Sequence, residues 1–411
     1  MRVIIVGNGI AGINVAAGLR SDPSVPVDVY SGEAHPFYSR VRLPEVLSGA
    51  SAPEDIVFYK PDWYEKRGIV VHTGMPVRAI DRVAKTIQLF DGRYESYDYL
   101  VLATGASANR PGIPGADKAG VFTMRTMEDV LAIRANLAEY PESASVIGGG
   151  LLGLEAARAL KDAGAKSVRV FEIAPRLLPR QLDETGAALL ASRFAAMGIE
   201  VVCGAETDSF LPFQADAGRA DSIKLKDGRV FPSATTILSM GVHSNVELAK
   251  AAGLTVNRGI VVDEHLRTSD PAIYAAGDCA EFCGIVWGII PAALEQAPVL
   301  AKSILADSGS SAVSGAPCYA QTVPKTALKV GDIELMSLGK AVLTPEESAS
   351  GSFIVKSLVR EAQGRYEKFV LSQDSVLVGA ILYGSKKHQA PVQKMVGQKV
   401  SLADIDALLA E

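Results

Sequence analysis

One local pattern occurs twice in this 411-residue chain, and it constrains the fold more than any other feature. An apolar strand runs into a glycine-rich turn, a helix of small residues, a second strand and then an acidic residue. The first copy reads Val3-Ile4-Ile5-Val6, Gly7-Asn8-Gly9-Ile10-Ala11-Gly12, a helix through Arg20, a strand Val27 to Tyr30, and Glu33. The second reads Ala144-Ser145-Val146-Ile147, Gly148-Gly149-Gly150-Leu151-Leu152-Gly153, a helix through about Ala163, a strand Ser167 to Phe171, and Glu172. Each acid falls about 20 positions past the last glycine, the spacing of a dinucleotide fingerprint.

The glycines have separate tasks. The first makes the tight turn, the second lets backbone approach a pyrophosphate, and the third lets helix and strand pack closely. The helix N-terminus then offers unpaired N–H groups and a positive dipole end to the phosphates. One such turn is weak evidence, because glycine turns are common. Two, each in strand–turn–helix context with a partner acid, predict two Rossmann-like dinucleotide-binding domains and an α/β fold class.

A chain this long is expected to hold two or three domains. Nearly half of it is hydrophobic, and 38 Gly with 21 Pro fit many tight turns in a globular protein. Met1-Arg2-Val3 leads straight into a buried strand, so no signal peptide is expected. Without an apolar run of about 18 residues, no membrane span is expected either, and the simplest location is cytoplasmic. A net charge of −5 argues against general nucleic-acid binding. Cys203, Cys279, Cys283 and Cys318 fit neither a disulfide framework nor a C-x-x-C site. His35, His72, His243, His265 and His388 stand singly, without ligand spacing, so no metal site is predicted.

Tyr97 to Gly105 reads as an apolar strand ending in the small turn Thr104-Gly105, followed by Asn109-Arg110-Pro111-Gly112, a crossing between domains. Thr235 to Gly241 is its counterpart in the second copy, followed by a return near Asn245. The expected division is 1–108 and 245–317 for the first domain, 109–244 for the second, and 318–411 for a smaller C-terminal α+β domain. Strands are predicted at Thr326 to Val330, Phe353 to Val359 and Tyr366 to Leu371, with a helix near Leu402 to Leu409.

The segment Thr268-Ser269-Asp270-Pro271-Ala272-Ile273-Tyr274-Ala275-Ala276-Gly277-Asp278 resembles the second FAD motif of the flavoprotein reductases that carry two dinucleotide-binding domains. Tyr38-Ser39-Arg40-Val41-Arg42-Leu43-Pro44-Glu45 and Gly288-Ile289-Ile290-Pro291-Ala292-Ala293-Leu294-Glu295-Gln296 narrow the likeness. With them the chain is similar to NAD(P)H:rubredoxin oxidoreductases and to the flavin-binding part of NADH nitrite reductase large subunits. The likeness extends to Leu328-Lys329-Val330-Gly331-Asp332-Ile333. Disulfide reductases of the superfamily carry a redox-active cysteine near the region of Tyr38 to Glu45; this chain has none there.

The resemblance implies FAD and NAD(H) as cofactors. Gly7, Gly9 and Gly12 would hold the FAD pyrophosphate, Glu33 the adenosine ribose, with an ordinary solvated turn acid as its competing reading, and Gly277 with Asp278 the ribityl chain. Thr104 and Gly105 would line the same site, and the helix from Pro291 would point at the flavin ring. Gly148, Gly150, Gly153 and Glu172 would hold NAD(H), with Glu155 near the nicotinamide. Glu172 would favour NADH over NADPH by repelling a 2′-phosphate, although Arg176 is near enough in sequence to approach one. Arg40 is the expected cation beside the reduced flavin, with pairing to Glu45 or simple surface exposure as the competing readings. Arg40 and Glu155 are thus the candidate catalytic residues.

A hydride donor coupled through flavin, which releases electrons singly, suits a one-electron iron acceptor. Rubredoxin, ferredoxin or an iron–sulfur subunit of a larger complex are the expected partners. Lys325, Lys329, Lys386, Lys387, Lys394 and Lys399 would form a basic dock for such an acidic protein, or an ordinary solvated face. The alternatives are an NADH oxidase that reduces oxygen directly and a flavin-based redox-sensing protein.

Overall fold

The computed structural model describes residues 1–410 apart from 214, 215, 311, 314, 323, 324, 331, 332, 361 and 362; for 325–330 it describes the backbone. The side chains of Lys325 and Lys329, and residues Gly331 and Asp332, therefore lie outside the described residues. The chain forms two compact units. The first comprises Met1–Arg42, Ala52–Ala108 and Gly241–Val323; the second comprises Leu43–Ser51, Asn109–Met240 and Pro324–Glu411.

The first unit is built on a five-stranded parallel sheet in the order Ile273–Ala275, Tyr99–Leu102, Val3–Val6, Val27–Tyr30, Ile69–His72. Every residue of Val3–Val6 is buried, as expected of a central parallel strand with both faces covered. The helix Ile10–Leu19 returns over the sheet and packs on the helix Ile290–Asp307. Small residues set how close they come: a Cβ on Gly18 would stand 2.8 Å from that of Ala301. Around this contact Ile13, Leu19, Leu300 and Ile304 are fully buried, each contributing roughly 1.5–3 kcal/mol.

The second unit repeats the arrangement in a parallel sheet ordered Ile199–Cys203, Ser167–Glu172, Ser143–Ile147, Thr235–Leu238, Val121–Thr123. In both sheets the strand that feeds the glycine turn lies between its sequence successor and a strand from much later in the chain. That is the topological switch point, where ligands of open α/β sheets bind.

The same unit carries an antiparallel sheet ordered Lys325–Val330, Ile333–Gly339, Leu377–Tyr383, Arg365–Ser372, Phe353–Arg360, closed by helices Lys386–Met395 and Leu402–Ala410. Phe369, Leu371, Leu377, Leu382, Val392 and Ile405 form its core. A nearly buried ion cluster joins this sheet to the helix Glu184–Ala196. Asp183 caps that helix through Gly186 N–H (3.1 Å) and accepts hydrogen bonds from Tyr366 Oη (2.7 Å) and Lys368 Nζ (2.9 Å). Burial alone would raise the Asp183 carboxyl, but the bonds from Tyr366, Gly186 and Lys368 outweigh it and hold the group below its ordinary value. Among the described residues no helix is long and apolar enough to cross a membrane.

Candidate functional site

The two glycine turns have the same geometry. Gly7 and Gly148 both adopt positive φ, +116° and +113°, and each lies against the strand across the switch point. A Cβ on Gly7 would stand 2.1 Å from the Ala103 carbonyl oxygen, and one on Gly148 would stand 2.2 Å from that of Ser239. Gly12 and Gly153 are required for packing: a Cβ on either would lie 2.0 Å from the carbonyl oxygen of the first glycine of its own turn. No L-side chain fits these positions unless the backbone moves. Gly9 and Gly150, at the helix N-caps, have nothing within 4 Å of an added Cβ. The tight positions face protein and the open positions face the crevice.

The helices that start at these turns have no side-chain cap, and neither does Ile290–Asp307, which starts at Ile289 with Pro291 in its first turn. The helices Met127–Glu139 and Glu184–Ala196, by contrast, are capped by Thr126 and Asp183. Uncapped N–H groups at a glycine turn are the donors that a pyrophosphate would take. In the first turn Asn8 adds a further polar group: it is 8% exposed, and neither its Oδ1 nor its Nδ2 has a hydrogen-bond partner among the described residues. Open N-caps and an orphaned buried amide both fit a bound dinucleotide.

The expected acids occupy unlike settings. Glu172 is buried and braces its own turn, accepting from Gly149 N–H at 2.6 Å and from Ala174 N–H at 2.8 Å. Glu33 stands clear of the first turn and is clamped by Tyr38 Oη at 2.5 Å and by the Arg40 guanidinium. Strand register explains the difference. Val6 pairs with Tyr30 and Ile147 with Phe171, so Ser31, and not Glu33, is the counterpart of Glu172. Arg40 is thus not a lone cation: its charge is offset by Glu33. Arg176 is folded onto its own loop, donating to Leu182 O, Glu184 and Pro179 O.

Around the second FAD-like motif the turn is held from several sides. Gly277, at φ +82°, lies so close to the first helix that an added Cβ would be 2.8 Å from that of Ala11. Gly277 N–H donates to Gln296 Oε1 at 2.7 Å, and Ser244 Oγ donates to Asp278 O at 2.7 Å. Thr104 Oγ1 donates to Asn245 O, Asn245 Nδ2 donates back to Thr104 O, and Asn245 N–H donates to Gly105 O. Sequence reasoning named Gln296 only within the motif Gly288 to Gln296 and Asn245 only at the return between domains, and gave neither a role in the site. Gln296 had a signal: it is 1% exposed on the apolar stripe Ala292, Ala293, Ala297, Leu300, and a glutamine on such a stripe needs a buried partner.

Glu155 lies on the helix Leu151–Asp162, half buried and without a partner among the described residues; burial pushes its carboxyl up to about 7. Cys279 is fully buried with its thiol donating to Leu102 O, and burial raises its pKa. No cysteine precedes Cys203 in the sequence.

Comparison with known proteins agrees with this geometry. Residues 1–301 match the family described as pyridine nucleotide-disulphide oxidoreductase. The chain belongs to this family. Residues 324–400 of this pyridine nucleotide-disulphide oxidoreductase match the rubredoxin NAD+ reductase C-terminal domain. The chain is 36% identical over 408 residues to the assimilatory nitrate reductase electron transfer subunit of Bacillus subtilis, covering 98% of this chain and 50% of that one. It thus spans about half the length of that relative. It is 31% identical to an NADH oxidase of Methanocaldococcus jannaschii, over 98% of this chain and 93% of the relative. The solved NADH:rubredoxin oxidoreductase of Clostridium acetobutylicum aligns with a TM-score of 0.78 at 27% identity, covering 100% of this chain and 99% of that one.

Proposed function

We propose that the chain is a flavoprotein oxidoreductase that exchanges electrons between NAD(H) and a one-electron iron protein: rubredoxin, ferredoxin or an iron–sulfur subunit of a larger complex. The duplicated cradle carries this reading: two turns of one geometry, each with tight glycines toward protein and an open, uncapped helix end toward the crevice. FAD in the first cradle would take a hydride's two electrons from NADH and release them one at a time. The division of the chain follows: 1–108 with 245–317 for FAD, 109–244 for NAD(H), and 318–411 as the C-terminal domain.

Each assigned residue has a physical task. Gly7, Gly9 and Gly12 admit the FAD pyrophosphate to the helix N-terminus, and Gly277 with Asp278 receives the ribityl chain, held in place by Gln296 and Ser244. Thr104 and Gly105, clamped by Asn245, line the same site. The free N–H groups ahead of Pro291 stabilise negative charge. Glu33 and Arg40 act as a pair, the carboxylate accepting from ribose hydroxyls while the guanidinium fixes its orientation. Gly148, Gly150 and Gly153 admit NAD(H). Glu172 holds the turn and repels a 2′-phosphate, and Arg176 is engaged within its own loop. NADH is therefore the preferred nucleotide. Glu155, protonated over part of the neutral range, supplies a hydrogen-bond donor near the nicotinamide. The free thiols at Cys203, Cys279, Cys283 and Cys318 suit a reducing, cytoplasmic setting.

The exposed Lys386, Lys387, Lys394 and Lys399 form the dock for an acidic acceptor on a chain that is itself acidic. The test is NADH-driven turnover with oxidised rubredoxin, a neutral dye and oxygen across a salt series. Rubredoxin turnover should fall roughly tenfold as the Debye length shrinks from about 10 Å to about 3 Å, with the dye rate little changed. Oxygen uptake that matches the rubredoxin rate and ignores salt would favour the second reading, an NADH oxidase, which the Methanocaldococcus relative supports.

A further inference from the structure

The two glycine turns differ in one exchange across the crevice. Gly7 N–H donates to Tyr30 O at 2.8 Å and Gly148 N–H to Phe171 O at 2.7 Å, so the repeats align residue for residue at this point. Asn8 then corresponds to Gly149, and Ser31 to Glu172. A Cβ on Gly149 would lie 2.6 Å from Leu177 Cδ2, 3.0 Å from Glu172 Cβ and 3.1 Å from Glu172 Oε2. A side chain at this turn position therefore heads for the space that Leu177 and the Glu172 carboxylate fill at the end of the second strand. In the first repeat the strand-end residue is the short Ser31, and the long polar group comes from the turn as Asn8.

The two groups differ in satisfaction. The Glu172 carboxylate accepts two backbone N–H bonds. The Asn8 carboxamide is nine-tenths buried and has no partner at either atom among the described residues. A buried amide can donate twice and accept twice, and leaving it unpaired destabilises the chain. The helix N-terminus beside it, at Gly9, is also uncapped.

We infer that Asn8 is a ligand-binding residue of the first dinucleotide site: Nδ2 donates to an oxygen of the ribose–phosphate part of the ligand, and Oδ1 accepts from a ribose hydroxyl. This rests on the reading that the first cradle holds FAD. The site meets its ligand with a neutral amide where the second presents a carboxylate.

The test uses the full-length chain stripped of flavin. FAD affinity is measured by flavin fluorescence quenching, and the thermal midpoint of the apo-protein is recorded alongside, for wild type, Asn8→Leu and Asn8→Ala. Leucine matches asparagine in size and removes both orphaned atoms, so the apo midpoint of Asn8→Leu should hold or rise while its FAD Kd weakens by about tenfold or more. Asn8→Ala should weaken binding similarly. Variants that bind FAD as tightly as wild type would overturn the proposal and assign the amide to an internal water. Loss of binding in step with a lowered apo midpoint in both variants would overturn it in favour of a structural role. A wild-type chain that takes up no FAD would refute the flavin reading and Asn8's role together, an outcome distinct from wild-type binding that the variants match.

Discussion

Glu155 shows how a single side chain can set pH behaviour. Its carboxyl is half buried with nothing to compensate the charge, so the folded chain holds its proton to about pH 7, against an ordinary value of 4.5. Because the folded state binds more protons than the unfolded state between these values, stability falls as pH rises from 4.5 to about 7 and then levels. Glu155→Gln should remove that component, so the midpoint difference between variant and wild type should grow in favour of the variant from about pH 5 to about pH 7 and stay constant above. Parallel melting curves across the range would contradict a raised carboxyl. Glu33 lies two residues further from its turn than Glu172 does, a little beyond the strand end, so a solvated turn acid is a competing reading from the sequence. Register shows that Ser31 is the counterpart, with Glu33 bound to Tyr38 and Arg40 instead.

At the level of elements, the strand–turn–helix units were legible because their signals are local. Glycine spacing, a run of buried apolar residues and small residues in the following helix all lie within a short stretch of chain. The close approaches of Gly12 and Gly153 allow the two sites to be separated by experiment. Gly12→Ala and Gly153→Ala each force a Cβ against a carbonyl oxygen, costing about 1–3 kcal/mol of strain or more. Purified Gly12→Ala should lose most of its flavin; Gly153→Ala should keep its flavin and respond poorly to NADH. The reverse assignment of losses would exchange the two sites. Asn245 and Gln296 were given no role in the site because their partners, Thr104 and Gly277, come from distant or non-repeating segments. The C-terminal sheet was only partly legible. Ile333–Gly339 and Leu377–Tyr383 are covered on both faces, so they lack alternation, and a short apolar run does not distinguish strand from helix.

For the whole molecule, duplication is the organising fact: one arrangement of strand, turn and helix, used twice, with the acid at or beyond the end of the second strand placed differently in each copy. The second copy keeps a buried carboxylate at the strand end; the first moves its acid outward and pairs it with Arg40. If FAD occupies the first cradle and NAD(H) the second, as proposed, the difference separates two sites of related chemistry. The disulphide half of the family's name has no counterpart in the stretch Tyr38 to Glu45, which contains no cysteine. Electrons would then pass from NADH to bound FAD and on to an iron protein. Anaerobic stopped-flow absorbance follows both transfers, mixing the purified protein first with NADH and then with oxidised rubredoxin. Rapid bleaching of the flavin by NADH, and its return as the iron protein is reduced, is the expected result; a flavin that NADH leaves oxidised would contradict the electron-transfer function.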